Sequence, residues 1–336
     1  MQKINWGIIG PGSIAKTFAD ALAISDEGQL YAVASRNIER ATDFAGIYGA
    51  TAVYDNYQTL IDDPKVDIIY IATPQSHHYQ QAKLCLQAGK ALLLEKPCTI
   101  NAQQMAVLVE LAQDNGVFFQ EALWSRFMPC FAQVKQWIAQ GKIGELQYIN
   151  SDIGFAFDDK PEHRLNNPDL GGGALLDLGV YSITLSQFIL DEYPSAIQAS
   201  AQLGSLAVHG HKLDLNTQVN MCYPSGCIGQ FTCTTMAQSS NSMHIVGTKG
   251  RITLPTKFWV GEKAMLYKSD ELVEELSFPH KGNGFEYQIK QAMDCVKQGR
   301  PYSECMPHAD SLAVMKVMDE VRQQIGLHYS ERLEAL

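Results

Sequence analysis

The feature that most limits the fold of this chain is a glycine turn set between an apolar strand and a helix. Ile4 to Ile9 reads as the strand, Gly10-Pro11-Gly12-Ser13-Ile14-Ala15 as the turn, and about Ser13 to Ala23 as the helix. Gly10 permits the tight turn, Gly12 lets a ligand approach the backbone, and Ala15 lets the helix pack close to the sheet. The first N–H groups of such a helix have no partner within it and sit at the positive end of its dipole, which favours an anion. Gly10, Gly12, Ser13, Ile14 and Ala15 are therefore candidate residues for the pyrophosphate of a dinucleotide.

Strand and helix patterns alternate after this turn. Gln29 to Ser35 reads as a strand, with Asn37 capping a helix that reaches about Tyr48. Val66 to Ile71 is a nearly unbroken apolar run, as in a strand covered on both faces. Helices follow at Ser76 to Ala88 and Asn101 to Asp114, with strands at Ala91 to Leu94 and Val117 to Gln120. This alternation predicts an α/β Rossmann domain, a doubly wound parallel sheet, over residues 1–122. From 123 to 336 the pattern changes to longer strands: Glu145 to Phe155, Ala196 to Leu203, Leu213 to Tyr223, Gly226 to Thr235 and Met243 to Leu254. They predict an α+β domain with a large, mostly antiparallel sheet. Leu213, Leu215, Thr217, Val219 and Met221 form its apolar face, and Asp214, Asn216, Gln218, Asn220 and Cys222 a polar, largely uncharged one.

In open α/β sheets, ligands gather at the carboxyl ends of the strands. The second strand ends in Ser35-Arg36-Asn37, without the acidic residue that usually accepts the ribose hydroxyls of NAD. Arg36 can pair with a 2′-phosphate, so NADP is the expected cofactor and NAD the less favoured one. The alternative leaves Arg36 solvated and gives the ribose to Glu39. Beyond the next two strands come Thr73-Pro74-Gln75-Ser76-His77-His78 and Glu95-Lys96-Pro97. An ammonium from Lys96 beside the nicotinamide would stabilise charge developing on a substrate oxygen. Adjacent His77 and His78 point to different helix faces, so no metal is expected there. The eight cysteines show no paired metal spacing and read as free, buried thiols of a reducing compartment.

With GPGSIA, ATPQSHH and EKP in this order, the chain resembles the Gfo/Idh/MocA oxidoreductase family over essentially its whole length. The segments from Glu121 to Phe127, and from Gly171 to Tyr181, resemble the dimeric dihydrodiol dehydrogenase and NADP-dependent D-xylose dehydrogenase branch. The resemblance implies that Lys96 is the catalytic lysine, on a Lys96-Pro97 bond that is cis. It implies that Thr73, Pro74 and His78 line the cofactor with Glu95, and that Trp124 and Arg126 flank the nicotinamide. Where many members carry a histidine, this chain has Tyr181, four residues after Asp177. Tyrosine normally ionises near about pH 10, and a neighbouring ammonium would lower that. The expectation is that Tyr181 exchanges the substrate proton, Lys96 steadies the oxygen, and Asp177 holds a hydroxyl or orients Lys96. A packed Tyr181 with its hydroxyl bonded elsewhere is the alternative. Asp158, Asp159, His163, Arg164 and Asn167 are further candidates in the loop before the glycine run.

The implied substrate is a small polyol, an aldose such as xylose or glucose, or a trans-dihydrodiol. An NADP-sensing regulator of the same fold, or an inositol or amino-sugar dehydrogenase, are the rival readings. A net charge of −10 argues against nucleic acid. With no apolar run read as long enough to span a bilayer, and a first strand starting almost at Met1, the chain reads as cytoplasmic and without a membrane partner. Relatives that pair sheet to sheet imply a homodimer through the second sheet.

Overall fold

The computed structural model describes residues 3–157, 163–204 and 212–336. Asp158 and Asp159 lie outside the described residues. The chain divides into two compact units, Met1–Trp124 with His280–Ser311 and Leu336, and Ser125–Pro279 with Leu312–Ala335.

The first unit alternates strand and helix: β1 (Ile4–Ile9), α1 (Ser13–Ala23), β2 (Gly28–Ala34), α2 (Ile38–Tyr48), β3 (Ala52–Tyr54), α3 (Tyr57–Asp62), β4 (Ile68–Ile71), α4 (His78–Gln87), β5 (Ala91–Glu95), α5 (Ala102–Asp114) and β6 (Phe119–Ala122). All neighbouring strands are parallel, in the order β3-β2-β1-β4-β5-β6. The order reverses between β1 and β4, which opens a crevice at the carboxyl ends of those strands. Every residue of β4 is buried, as its apolar run requires of a strand covered on both faces. Phe18 of α1 stacks on Tyr70 of β4 with ring centroids 3.9 Å apart, and Trp6 meets Phe18 edge-on. Such pairs contribute about 0.5–1.5 kcal/mol beyond their buried area. Asn37, Asn56 and Asn101 cap α2, α3 and α5 by accepting a first-turn N–H.

The second unit holds α6 (Pro129–Ala139), β7 (Leu146–Gly154), α7 (Val180–Leu190), β8 (Ala196–Gly204), β9 (Leu213–Cys222), β10 (Ile228–Thr234), β11 (Met243–Gly247), β12 (Gly250–Leu254), β13 (Lys263–Lys268) and β14 (Glu271–Ser277). Its sheet runs β14-β13-β12-β11-β7-β10-β9-β8, antiparallel except where β7 meets β10. The single strand expected over Met243 to Leu254 is a hairpin, because Gly247 and Gly250 pair across a turn at Thr248-Lys249. In the last part of the chain come α8 (Phe285–Lys297), α9 (His308–Ile325) and the short α10 (Glu331–Glu334).

Val219, Met221, Phe231 and Cys233 are buried on the inner face of this sheet, and Gln218 and Gln230 are exposed on the other. Asp214 departs from the expected polar face. It is fully buried and serves the helix beneath. The stretch Pro168–Leu190 also corrects the sequence reading, since by length and composition it is apolar enough to cross a membrane. In the fold 89% of its apolar window is buried, which makes it the core helix of the second unit. All eight cysteines are free, but Cys222 is exposed rather than buried because it closes β9 on the outer face, and Cys305 is half-buried.

Candidate functional site

In the first unit the candidate residues converge at the carboxyl ends of β1, β4 and β5. Gly10 has φ +87°, and a Cβ there would lie 2.6 Å from the Thr73 side chain, so the turns after β1 and β4 touch. Gly12 is the N-cap of α1 and supplies no side-chain cap, and the first turn carries no acid. Nothing lies within 4 Å of where its Cβ would be. Unlike the three asparagine-capped helices, α1 thus leaves its first N–H groups for an external anion, which fits a dinucleotide pyrophosphate. Ser13 and Ile14 are exposed on that turn, while Ala15 is buried against the core. Beyond β2, Ser35 is buried and its hydroxyl accepts the Asn37 N–H at 3.1 Å. Arg36 and Glu39 are both exposed.

The turns after β4 and β5 are tied by buried polar groups. Thr73 donates its hydroxyl to Gln81 at 2.6 Å, and Pro74 leads into a short 3-10 turn, Gln75–His77. His78 opens α4 with a ring that is only 1% exposed, its two nitrogens turned to backbone carbonyls rather than outward. Glu95 is buried, accepts the Tyr70 hydroxyl, and takes the Lys96 N–H at 3.2 Å. Glu121 accepts the Cys98 N–H at 3.2 Å from the other side. The Lys96-Pro97 bond between them is cis. Trp124 belongs to this unit and packs on Phe285, with centroids 4.8 Å apart.

In the second unit, Leu175–Gly179 forms a π-helical turn that runs into α7, placing Asp177 just before Tyr181. Asp177 is nearly buried and held by a bidentate pair from Arg164, at 2.9 and 3.0 Å. Tyr181 faces Trp259 at 6.0 Å between centroids. Trp259 meets Phe155, Phe155 meets Phe157, and His163 stacks on Phe157. The result is an aromatic surface beside a paired carboxylate. Ser125 holds the Trp259 carbonyl at 2.6 Å. Arg126 is in this unit, buried, with its guanidinium over the Phe188 ring at 4.5 Å. Asn167 is taken up in capping its own loop at Asp169.

The start of that helix depends on Asp214. Its carboxylate accepts the Leu175 N–H at 2.7 Å and the Thr217 hydroxyl at 2.8 Å. Gly173 has φ +112°, and a Cβ there would lie 2.2 Å from the same carboxylate, so only glycine fits. Burial pushes the Asp214 pKa up to about 6, against hydrogen bonds that lower it.

Two family models match this chain, an oxidoreductase family with an NAD-binding Rossmann fold over residues 4–123 and a GFO/IDH/MocA C-terminal domain over 131–253. A mouse trans-1,2-dihydrobenzene-1,2-diol dehydrogenase is 32% identical over 336 residues, covering 98% of both chains. The chain belongs to the GFO/IDH/MocA oxidoreductase family. Among solved structures, a 3-ketoreductase from Actinomadura kijaniata in complex with NADP and TDP-benzene superposes with a TM-score of 0.84. It is 25% identical, and the match covers 96% of this chain and 98% of that one. An aldose-aldose oxidoreductase from Caulobacter crescentus shares the fold with a TM-score of 0.87, 22% identity and coverage of 96% and 97%. As a GFO/IDH/MocA member the chain is an NAD(P)-dependent oxidoreductase acting on CH–OH groups of a small molecule.

Sequence reasoning missed Tyr70, Gln81, Asp214 and Trp259. Tyr70 carried a signal, a lone hydroxyl in a strand buried on both faces, where every polar atom needs a partner. Asp214 sat in an alternating pattern that placed it with the solvated residues. Trp259 lies in a short 3-10 turn with no periodicity to read.

Proposed function

We propose that the protein is an NADP-dependent dehydrogenase acting on a hydroxylated ring, a cyclic aldose or a trans-dihydrodiol. The observation that carries the reading is Lys96, set on a turn braced by buried Glu95 at the carboxyl end of β5, two strands from the uncapped N-terminus of α1. Gly10, Gly12 and the first turn of α1 would hold the pyrophosphate, and Ser35 and Arg36 the 2′-phosphate. Bound nicotinamide would supply the hydride acceptor for oxidation and the donor for reduction. In the reducing direction the Tyr181 hydroxyl gives a proton to the carbonyl oxygen, and the Lys96 ammonium stabilises the negative charge developing there. Oxidation retraces these transfers. Asp177, fixed by Arg164, accepts a neighbouring hydroxyl, and Trp259 and Phe155 receive the apolar face of the ring.

The outer face of the second sheet is uncharged along β8, β9 and β10, which supports a homodimer, and its charged residues lie on β7 and on β12 to β14. Exposed Tyr148 and Ile228 lie side by side on this face, and pairing it along β8, β9 and β10 buries little unpaired charge. Eight free thiols suit the cytoplasm.

The test is NADP+ reduction with D-xylose, D-glucose, myo-inositol and trans-benzene dihydrodiol, by the parent protein and by Lys96→Ala and Tyr181→Phe. Both variants should lose about 10²–10³ in kcat, the scale of one preorganised charge-stabilising group. NADPH affinity, read by fluorescence, should move only a few fold. Near-parental turnover in Lys96→Ala overturns the assignment. Tight NADPH binding by the parent without turnover of any ring substrate overturns the substrate class and favours a sensor.

A further inference from the structure

The ring of His78 spans the turn after β4 and the turn that carries Lys96. Its Nδ1 lies 2.8 Å from the Pro97 carbonyl oxygen and its Nε2 lies 2.8 Å from that of Thr73. The charged side chains that bear on it are His77 and Lys96, both of which disfavour a second positive charge. Burial has the larger effect in the same direction and holds its pKa at about 4, so the ring is neutral at pH 7 and carries a single proton. A neutral imidazole donates through one nitrogen only.

The two acceptors are not equivalent. The contact with the Pro97 carbonyl is buried, whereas the contact with the Thr73 carbonyl is only partly so. An unmet acceptor costs more where water cannot reach it, about 1–3 kcal/mol for a buried group. The proton therefore belongs on Nδ1. We infer that His78 is a positioning residue for Lys96: its Nδ1–H donates to the Pro97 carbonyl and fixes the turn that presents the lysine. His78 touches neither substrate nor reacting atoms in this role. The inference rests on the reading of Lys96 given above, and its test separates the two.

Amide side chains distinguish the two nitrogens. In His78→Asn the amide nitrogen falls near the position of Nδ1 and can keep the Pro97 bond. In His78→Gln it falls near Nε2 and moves the bond to Thr73. The glutamine variant should lower kcat about 10–100-fold, the range expected when a reacting group is misplaced by about an ångström. Its affinity for NADPH should stay within threefold of the parent. The asparagine variant should recover at least fivefold of the lost kcat. A histidine that only stabilises the fold would give equal losses in both variants, or a lower melting temperature with kcat intact, and either result overturns the inference. Two-bond 1H–15N correlation spectra of the histidine rings of the parent protein give an independent reading. A protonated Nδ1 on His78 is expected, and a protonated Nε2 refutes it even if a variant fails to fold. Turnover surviving in Lys96→Ala would instead remove the reading of Lys96, whatever the His78 variants do.

Discussion

Asp214→Asn should change how the second unit responds to pH. The carboxyl ionises near pH 3.8 when unconstrained and at about 6 in the fold, chiefly because of burial. Between those values the unfolded chain has lost the proton and the folded chain retains it. Stability is then greatest at the acid end of the window and falls as pH rises to about 6, levelling above it. A shift of about two units corresponds to about 3 kcal/mol in full, of which about 2 kcal/mol falls between pH 4.5 and 7. Asparagine keeps the shape and an oxygen for Leu175 and Thr217 but carries no titrating proton. His78 contributes the opposite slope across the same range, because its pKa is lowered to about 4 and the unfolded histidine takes up the proton first. Its effect lies in the first unit and cancels when parent and variant are compared. The assay is the melting temperature of the second unit's transition at pH 4.5 and at pH 7. The variant should gain about 4–8 °C relative to the parent on going from the lower pH to the higher, at about 2–4 °C per kcal/mol. A parent-to-variant difference that stays constant to within about 1 °C would refute the buried titration, and with it the claim that an ionisable cap starts the helix carrying Asp177 and Tyr181.

Two further outcomes can be checked. Arg36→Asp should reverse the cofactor preference, costing NADP at least tenfold in kcat/KM relative to NAD; an unchanged ratio would move the ribose contact to Glu39. Tyr70→Phe removes a hydrogen bond to the buried Glu95 carboxylate and should cost about 1.5–3 kcal/mol in urea unfolding of the first unit. It should also lower kcat more than NADPH affinity, and equal stability of the two proteins would show that Glu95 does not depend on Tyr70.

The parallel sheet and its ligand-binding edge were legible because their signals are local. A glycine turn, the Asn37 cap and unbroken apolar strands each act over a few residues, and these recur in the structure where the pattern put them. The second sheet was legible by alternation only while its strands were long. It lost the hairpin at Gly247 and Gly250, and it lost β13 and β14, the last of which lies at the edge of the sheet with most of its residues exposed. The pairings of the polar residues around the candidate site were not read, for one reason. Arg164 with Asp177, Tyr70 with Glu95, and Asp214 with Leu175 are partnerships between distant positions. Each residue alone looks solvated or merely packed, and its chemistry is set by a partner that only the fold supplies. Asp214 shows this most fully. Its place in an alternating strand assigns it to water, yet the same alternation breaks at Gln202/Leu203 on the paired strand, where the register shifts beside it. A carboxylate turned inward there meets the start of a helix that has no side-chain cap of its own. The burial that makes the charge costly also makes the cap necessary, because the first N–H groups of a buried helix have no water to turn to.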